Sequence, residues 1–426
     1  MMKANDSDQH EYAAFVAIDW ADQKHVFTLQ ETHQAKKENG TLEQKPEVIG
    51  PWVAKLQERF PGQRLAVGVE QSRGALIHAL LEYDFLVIYP IHPSTVAKFR
   101  QAFKASGAKN DPLDTDLILE ILSKHLGLLK ALNPDTVQTR LLARLTHDRR
   151  KTVDLRTSHV EALTASLKEY FPQALALVNG NLTSRLAGDF LMKWPTLEQV
   201  QQAKPNTLKK FYLGHNIRRP ELIKEMLALA QAARPLTKDL ALVESGRRLT
   251  QMHAQMIQTL NSVIADYEAR IKEVFEQHPE AHLFRQIPGA GPAMAPRLLA
   301  FFGTDRSRFA SAQDVQSFSG IGPVTVSSGK SRVVHFRRAC PKFLRQTFHE
   351  FARLSTADCQ WAQNYVEYYR SKGKKYSTVI RALAFKWIRI LFRCWQDKTS
   401  YDDQKHMETL KKRGSIFATL HLKSEP

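Results

Sequence analysis

The chain has 426 residues, of which 43% are hydrophobic, and a formal net charge of +18. That length and apolar content suffice for two or three domains with their own cores. No apolar run approaches the ~20 residues of a membrane span, and Cys340, Cys359 and Cys394 lack the C-x-x-C spacing of a zinc knuckle or disulfide frame.

The charge is unevenly placed. Residues 1–130 carry 15 Lys/Arg against 17 Asp/Glu, whereas the remainder carries 46 against 26. A basic excess of this kind favours a polyanionic partner, nucleic acid or an anionic membrane, and the lack of a long apolar run weighs against the membrane. The opening MMKANDSDQHEY is polar and acidic, unlike a secretory signal. The expectation is a soluble cytoplasmic protein in a reducing compartment.

In chain order, AAFVAIDW (13–20) is a short apolar run that fits a buried strand, and KHVFTLQ alternates as an adjacent strand would. PEVIGPWVAKLQERF has helical spacing at Val53, Leu56 and Phe60. RLAVGVEQSRG (64–74) and FLVIYPIHP (85–93) predict two more buried strands, with a helix over GALIHALLEYD between them. The stretch 94–125 predicts one helix, a Gly-containing break, and a second helix that opens at KNDPLDTD. Strands alternating with helices predict an α/β domain over 10–130.

After Asn133-Pro134, residues 136–170 and 237–278 are long, charged and nearly free of glycine and proline. Leu249, Met256, Leu260, Val263, Tyr267 and Val274 fall at near-heptad positions, which fits a long helix in an intramolecular hairpin or in a coiled-coil dimer. This helical and oligomerisation segment is predicted over 135–280. Glycine returns from Pro288, and a mainly α C-terminal domain is predicted over 283–395. Its last helix, ALAFKWIRILFRCW, is amphipathic, with Lys386, Arg389 and Arg393. Residues 396–426 form a polar, loosely ordered tail. His147, His159 and His253 have no ligand spacing and are read as structural.

Asp19 and Glu70 are each the lone charge at the end of an apolar run. An unpaired buried carboxylate is costly, so such a residue projects from a strand edge into a cleft or meets a cation. Asp111 and Asp114, spaced i, i+3, share a face if a helix starts there. Four such acids suit Mg²⁺ (or Mn²⁺), and a pair of these ions serves phosphoryl transfer. The plainer alternative is a capped helix start: Asp111 precedes Pro112, and Asp114 and Asp116 complement the helix dipole.

In the C-terminal segment, IPGAGPAMAPRLLAFFG resembles a helix-hairpin-helix turn, with Gly289 and Gly291 offering backbone N–H groups to a phosphate. A dinucleotide fingerprint fails there for want of a third glycine and a preceding strand. FSGIGPV supplies a second Gly-x-Gly turn of the same kind. GIGPVTVSSGKSRVVHFRRACP then places Ser327 and Ser328 before Gly329, among Lys330, Arg332, Arg337, Arg338, Lys342 and Arg345. Such a basic run beside phosphate-binding turns predicts contact with the nucleic-acid backbone, which weakens steeply with salt. Of the interleaved aromatic residues, Phe336 and Phe343 among them, most are core and a minority stack on bases.

The order of these features resembles the DEDD-type insertion-sequence transposases, the family that includes the Piv-type DNA invertases. The acids match as Asp19 in VAIDW, Glu70 in VGVEQSRG, and Asp111 and Asp114 in AKNDPLD. The C-terminal frame matches as Gly320, Pro323 and Ser328-Gly329. Pro112-Leu113 replaces the family's usual basic residue after the third acid. The resemblance implies a RuvC-type, RNase H-like N-terminal domain whose acids bind metal, and a C-terminal transposase domain whose serine is the nucleophile. Spacing from Pro323 favours Ser328, and Ser327 is its neighbour. The resemblance further implies donor and target DNA, a structured guide RNA, a homodimer or homotetramer, and a prokaryotic, nucleoid-associated setting. Two other classes stay open: a RuvC-like junction nuclease, which needs the acids but not the serine, and a non-catalytic DNA-architectural protein.

Overall fold

A computed structural model describes residues 11–70, 74–103, 111–329 and 331–418, apart from the side chains of residues 103 and 111–113. The chain divides into two compact units, Met1–Pro134 and Asp135–Pro426.

The first unit contains β1 (Ala14–Asp19), β2 (Lys24–Glu31), β3 (Lys37–Glu43), α1 (Pro46–Arg59), β4 (Leu65–Val69), α2 (Ala75–Leu80), β5 (Leu86–Pro90), α3 (Pro93–Phe103) and α4 (Asp111–Lys124). The sheet order is β3-β2-β1-β4-β5, antiparallel from β3 to β1 and parallel from β1 to β5. Strand alternation gives the sheet two faces. Ala14, Val16, Ile18, Leu65, Val67 and Val69 pack with Val53 and Leu56 of α1 and Leu76, Ile77 and Leu80 of α2. Phe15, Ala17 and Ala66 pack with Leu117, Ile118, Ile121 and Leu122 of α4. Burial on both faces explains why β1 and β4 read as unbroken apolar runs. Gly68 keeps the α4 face flat at the centre, because a Cβ there would lie 3.0 Å from Ile118. Strand β3 has no sequence signal. KENGTLE is a polar edge strand with one buried residue, held by backbone pairing to β2.

The second unit opens with α5 (Val137–Tyr170) and continues through α6 (Gln173–Leu177), α7 (Arg185–Lys193), α8 (Leu197–Gln202), α9 (Pro205–Gly214) and α10 (Pro220–Ala232) to α11 (Leu240–Glu276). Contacts along the two long helices run in opposite order: Thr139 with His278, Arg149 with Glu268, Arg156 with Asn261, and Tyr170 against Gly246. They form an antiparallel intramolecular hairpin, with the short helices closing a core of their own around Phe171, Phe190 and Tyr212. The hairpin seam lies one residue beyond part of the predicted stripe. Thr250, Ala254, Ile257, Ile264 and Ile271 are buried, whereas Leu249, Met256 and Val263 are exposed. Isoleucines and small polar residues make the seam, so the larger leucine and methionine misdirected the reading.

After α11 come α12 (Ala281–Arg285), α13 (Gly291–Phe302), α14 (Ala312–Phe318), the hairpin β6 (Val324–Ser328) and β7 (Ser331–His335), then α15 (Lys342–Asp358), α16 (Gln360–Ser371), α17 (Tyr376–Gln396) and α18 (Asp403–Lys412). Helix α17 is amphipathic, burying Leu383, Trp387, Ile388, Leu391 and Trp395. The described part of the tail, residues 396–418, packs on this domain, where a loosely ordered segment was expected. Tyr401 is buried, its hydroxyl bonds Trp361 and Asp403, and Phe417 packs on Tyr365. A few aromatic anchors in a polar segment suffice to dock it. Among the described residues, no helix is long and apolar enough to cross a membrane.

Candidate functional site

The parallel register brings two of the predicted acids together. Ile18 of β1 is the partner of Val69 of β4. Asp19 and Glu70, the next residues, therefore leave the sheet side by side at its C-terminal edge. Alternation continues Phe15 and Ala17 to Asp19, and Ala66 and Gly68 to Glu70, so both acids belong to the α4 face. Helix α4 is seated there by a buried hydrogen bond of 2.8 Å between Thr28 and Thr115. Thr28 is the strand partner of Ala17, which lies two residues, about 7 Å, before Asp19 on the same face.

Asp114, next to Thr115, is 2% exposed. Its carboxylate accepts a hydrogen bond from the Arg100 guanidinium of α3. A carboxylate so shielded from water requires a positive partner, and Arg100 supplies it. Arg100 is itself mostly buried, and its Nε has no partner among the described residues. Asp116 lies off this face and pairs with Lys37 of β3, as a dipole-complementing surface acid would. Asp111 is the first residue of α4, but its side chain lies outside the described residues. Among the described residues, no three metal-ligating side chains gather closely enough to hold an ion. The chemistry of the described acids nonetheless suits a hard divalent cation: Asp19 and Glu70 bring carboxylate oxygens to the α4 face, and Asp114 already holds a cationic group. Arg100 was missed in the sequence because nothing in its spacing links it to the acids.

The serine lies at the tip of the β6–β7 hairpin. Ser328 pairs with Ser331, and Ser327 with Arg332. Only residues 329 and 330 separate the strands, and Gly329 has φ +53°, the left-handed conformation that a two-residue hairpin turn requires. Both serines are exposed, and Lys330 lies outside the described residues. An isolated two-stranded ribbon is marginal in water, and this one exposes the cross-strand pair Val326 and Val333 as well as Val334. Its base is tied down by Arg337, whose Nε donates to the Gly322 carbonyl at 3.2 Å. Arg345 on α15 donates to the Arg337 carbonyl at 3.3 Å. Arg332, Arg338 and Lys342 are exposed. From residue 315 to 349 the chain has six Lys/Arg and no Asp or Glu, so the hairpin stands in an acid-free, electropositive stretch.

The two glycine turns differ from each other. Gly291 opens α13 with φ +49°, and the space beside it is open. Gly289, at φ +75°, packs against the backbone of Ser355, and its N–H donates to the Asp358 carboxylate at 3.2 Å. A phosphate at that N–H would have to displace the carboxylate. The second turn, FSGIGPV, ends a helix where the sequence reading had it begin one. Gly320 follows α14 with φ +74°, and the Gly322 N–H returns to the Gln316 carbonyl at 2.7 Å. Its glycine serves as a helix C-terminal stop and lets Cys340 approach, so it presents no free helix start to a phosphate.

The chain matches two family profiles: a DEDD transposase profile of the IS110 type over residues 16–172, and one described as the transposase IS116/IS110/IS902 family over residues 281–367. These stretches carry the acids and the serine hairpin respectively. They define a transposase, an enzyme of DNA cleavage and strand transfer. The chain belongs to the IS110 family of insertion-sequence transposases. It is 24% identical to the mini-circle transposase assigned to IS117 of Streptomyces coelicolor, over 92% of this chain and 96% of that protein. It is 28% identical to the 43.6 kDa protein of insertion element IS110 from the same organism, over 39% of this chain and 40% of that one. The 42 kDa protein of IS900 from Mycobacterium paratuberculosis is 28% identical over 35% of this chain and 37% of its own length.

Proposed function

We propose that this transposase cuts and rejoins DNA through Ser328, with Asp19, Glu70, Asp111 and Asp114 holding Mg²⁺ or Mn²⁺. The observation that carries the reading is the shared exit of Asp19 and Glu70 from parallel neighbours β1 and β4 onto the α4 face, in a chain that also presents an exposed serine within an acid-free basic stretch. The sheet order β3-β2-β1-β4-β5 supports an RNase H-like fold for the first unit.

In the reaction, the Ser328 Oγ attacks phosphorus. A serine–phosphate ester forms, the bond from phosphorus to one sugar oxygen breaks, and that oxygen leaves as a hydroxyl after gaining a proton. A hydroxyl attacking the ester later restores the phosphodiester and frees the serine. Serine is a weak nucleophile at neutral pH and must lose its proton to a base. A divalent ion bound by the four carboxylates would supply charge stabilisation for the phosphoryl oxygens. Gly329 holds the hairpin turn and keeps Ser328 exposed. Gly291, Lys330, Arg332, Arg337, Arg338, Lys342 and Arg345 are proposed to contact DNA or guide RNA phosphates, with Gly289 contributing once Asp358 is displaced.

The guide RNA, drawn from the family resemblance, suits the same basic surface. Self-association as a dimer or tetramer is supported by a second apolar stripe on α11: Leu242, Leu249, Met256 and Val263 recur every seven residues and are exposed. Action on DNA in a bacterial cytoplasm, associated with the nucleoid, follows from this role.

The test is covalent trapping. Wild-type protein incubated with element-end DNA and Mg²⁺ is expected to yield a denaturation-resistant protein–DNA adduct. Ser328→Ala should abolish it and Ser327→Ala should retain it. Undiminished strand joining by Ser328→Ala would favour a RuvC-like nuclease instead. Recovered activity on mixing Asp19→Asn with Ser328→Ala protein would indicate sites shared between subunits.

A further inference from the structure

Below the serine hairpin, Arg345, already proposed to contact a phosphate, sits in a cluster whose other members, Phe336, His349 and Arg381, have no role in the proposed reaction. Phe336 follows β7 directly and is 40% exposed. The guanidinium carbon of Arg381, on α17, is 4.0 Å from its ring centre, and that of Arg345, on α15, is 4.8 Å away. Two cations from two different helices thus stack on one ring at the foot of the hairpin. Neither makes an ion pair among the described residues. The nearest acid along the chain, Glu350, is already taken by Arg150 and Arg297.

The third member is His349. Its Nε2 accepts from the Arg381 Nε at 3.4 Å, which requires the neutral ring. Burial, then Arg381 and Arg345, push its imidazole below the ordinary histidine range. Burial and the charge of Arg345 likewise push the Arg381 guanidinium down. Two like charges held on one ring without a counter-ion repel each other, so the fold maintains an arrangement that an anion would relieve. Arginine on an aromatic face keeps its planar donors directed outward, in the geometry that suits a phosphate.

We propose that Arg345 and Arg381, stacked on Phe336, form a phosphate clamp that grips the DNA backbone beside the serine hairpin. Arg345 is fixed from behind by its bonds to the Arg337 carbonyl and to Cys340 Sγ, so the clamp and the hairpin base form one unit. The inference rests on the DNA reading of that hairpin but not on its chemistry. It adds Arg381, far along the chain from the serine segment, as a phosphate-contacting residue.

The experiment uses full-length protein carrying Ser328→Ala, so that cleavage cannot contribute. Binding to a fluorescent duplex is followed by anisotropy across a salt series. Arg381→Gln is expected to make the slope of log affinity against log salt shallower by about 0.9, the counterion release of one phosphate contact on duplex DNA. Arg381→Lys should preserve the slope. Arg345→Gln should repeat the loss by an independent route, and Arg393→Gln, paired with Asp397 on the same helix, should not. Native circular dichroism confirms folding, and if one glutamine variant fails to fold, the other decides. Slopes unchanged in both glutamine variants, with affinities within about twofold, would overturn the clamp and leave the DNA reading standing. A parent protein that binds no duplex would overturn both.

Discussion

Arg100→Ala tests whether the acidic face is built for a cation. The Asp114 side chain is 3% exposed and that of Arg100 is 19% exposed, so removing the guanidinium leaves a carboxylate shielded from water. Breaking a buried pair in this way costs about 3–5 kcal/mol. Partial exposure of Arg100 favours the lower end, about 3 kcal/mol. For a unit of this size that is a drop of roughly 10 °C in the first unit's melting transition. Asp114→Asn combined with Arg100→Ala should lose less than Arg100→Ala alone, because no charge is then stranded. Mg²⁺ supplies the discriminating arm. An ion bound only by the folded state at about 100 times its Kd adds roughly 2.7 kcal/mol. In wild type it must compete with Arg100, so the Mg²⁺-induced rise should be larger in Arg100→Ala and absent in Arg100→Ala/Asp114→Asn. Calorimetry in EDTA and in Mg²⁺ reads all three. If Arg100→Ala melts with wild type in EDTA, Asp114 is not the shielded acid described here. If Mg²⁺ raises all three proteins equally, the metal assignment fails.

Two further outcomes concern the second unit. Asp135 accepts from the Thr304 N–H at 2.8 Å, the Thr304 hydroxyl at 2.7 Å and the Thr136 N–H at 2.7 Å. Burial pushes its carboxyl up, but these bonds outweigh burial and hold it below the ordinary range. Its stabilising contribution is therefore complete above the ordinary carboxylate pKa of about 3.9 and is lost as pH falls through the lower folded value. Asp135→Ala should cost about 1 kcal/mol at pH 7, discounted for partial exposure, with the gap to wild type closing below about pH 4 in urea melts; a constant gap would refute the carboxylate's role. Gly289→Ala would place a Cβ 2.4 Å from the Ser355 nitrogen at φ +75°, whereas Gly291→Ala enters open space at φ +49°. Denaturant melts should show a loss of about 3 kcal/mol or more for the first, from overpacking and left-handed strain together, and about 1 kcal/mol for the second. Equal losses would contradict the close packing of that turn on α15.

The parts of the molecule that were legible in the sequence share one property: a local pattern with a single physical solution. Buried parallel strands must be continuously apolar, so β1 and β4 were visible, and a lone acid at the end of each marked Asp19 and Glu70. The α4 start was visible for the same local reason. What escaped depended on partners distant in sequence. Strand β3 is held by backbone bonds to β2 and needs no apolar residue of its own. The seam of α11 is set by what α5 presents to it: Gly246 is required because the Tyr170 ring crosses within 2.5 Å of its missing Cβ, and no heptad count along one helix contains that information. FSGIGPV misled because a glycine turn that stops a helix and one that starts a helix look alike until the following segment is seen to be a strand.

The same distinction bears on the two charged sites. The basic run around Ser327 and Ser328 was readable because its residues lie close together in the chain, but the β6–β7 hairpin that presents the serines and its electrostatic surroundings were not. Arg381 lies 53 positions beyond Ser328 and reaches the hairpin foot only because α17 packs beside α15, while Arg100 reaches Asp114 only because α3 returns along α4. Both arginines are mates of residues that the sequence did single out: one completes a cationic pair that has no anion among the described residues, the other neutralises an acid that would otherwise be stranded. In each case the unreadable residue determines whether the readable one stands ready for a ligand or is already occupied. Releasing Asp114 therefore requires Arg100 to withdraw, whereas the Arg345–Arg381 pair needs only an anion to arrive. If the proposed metal and DNA sites are right, DNA binding should therefore be insensitive to Arg100→Ala even where metal-dependent stabilisation responds to it.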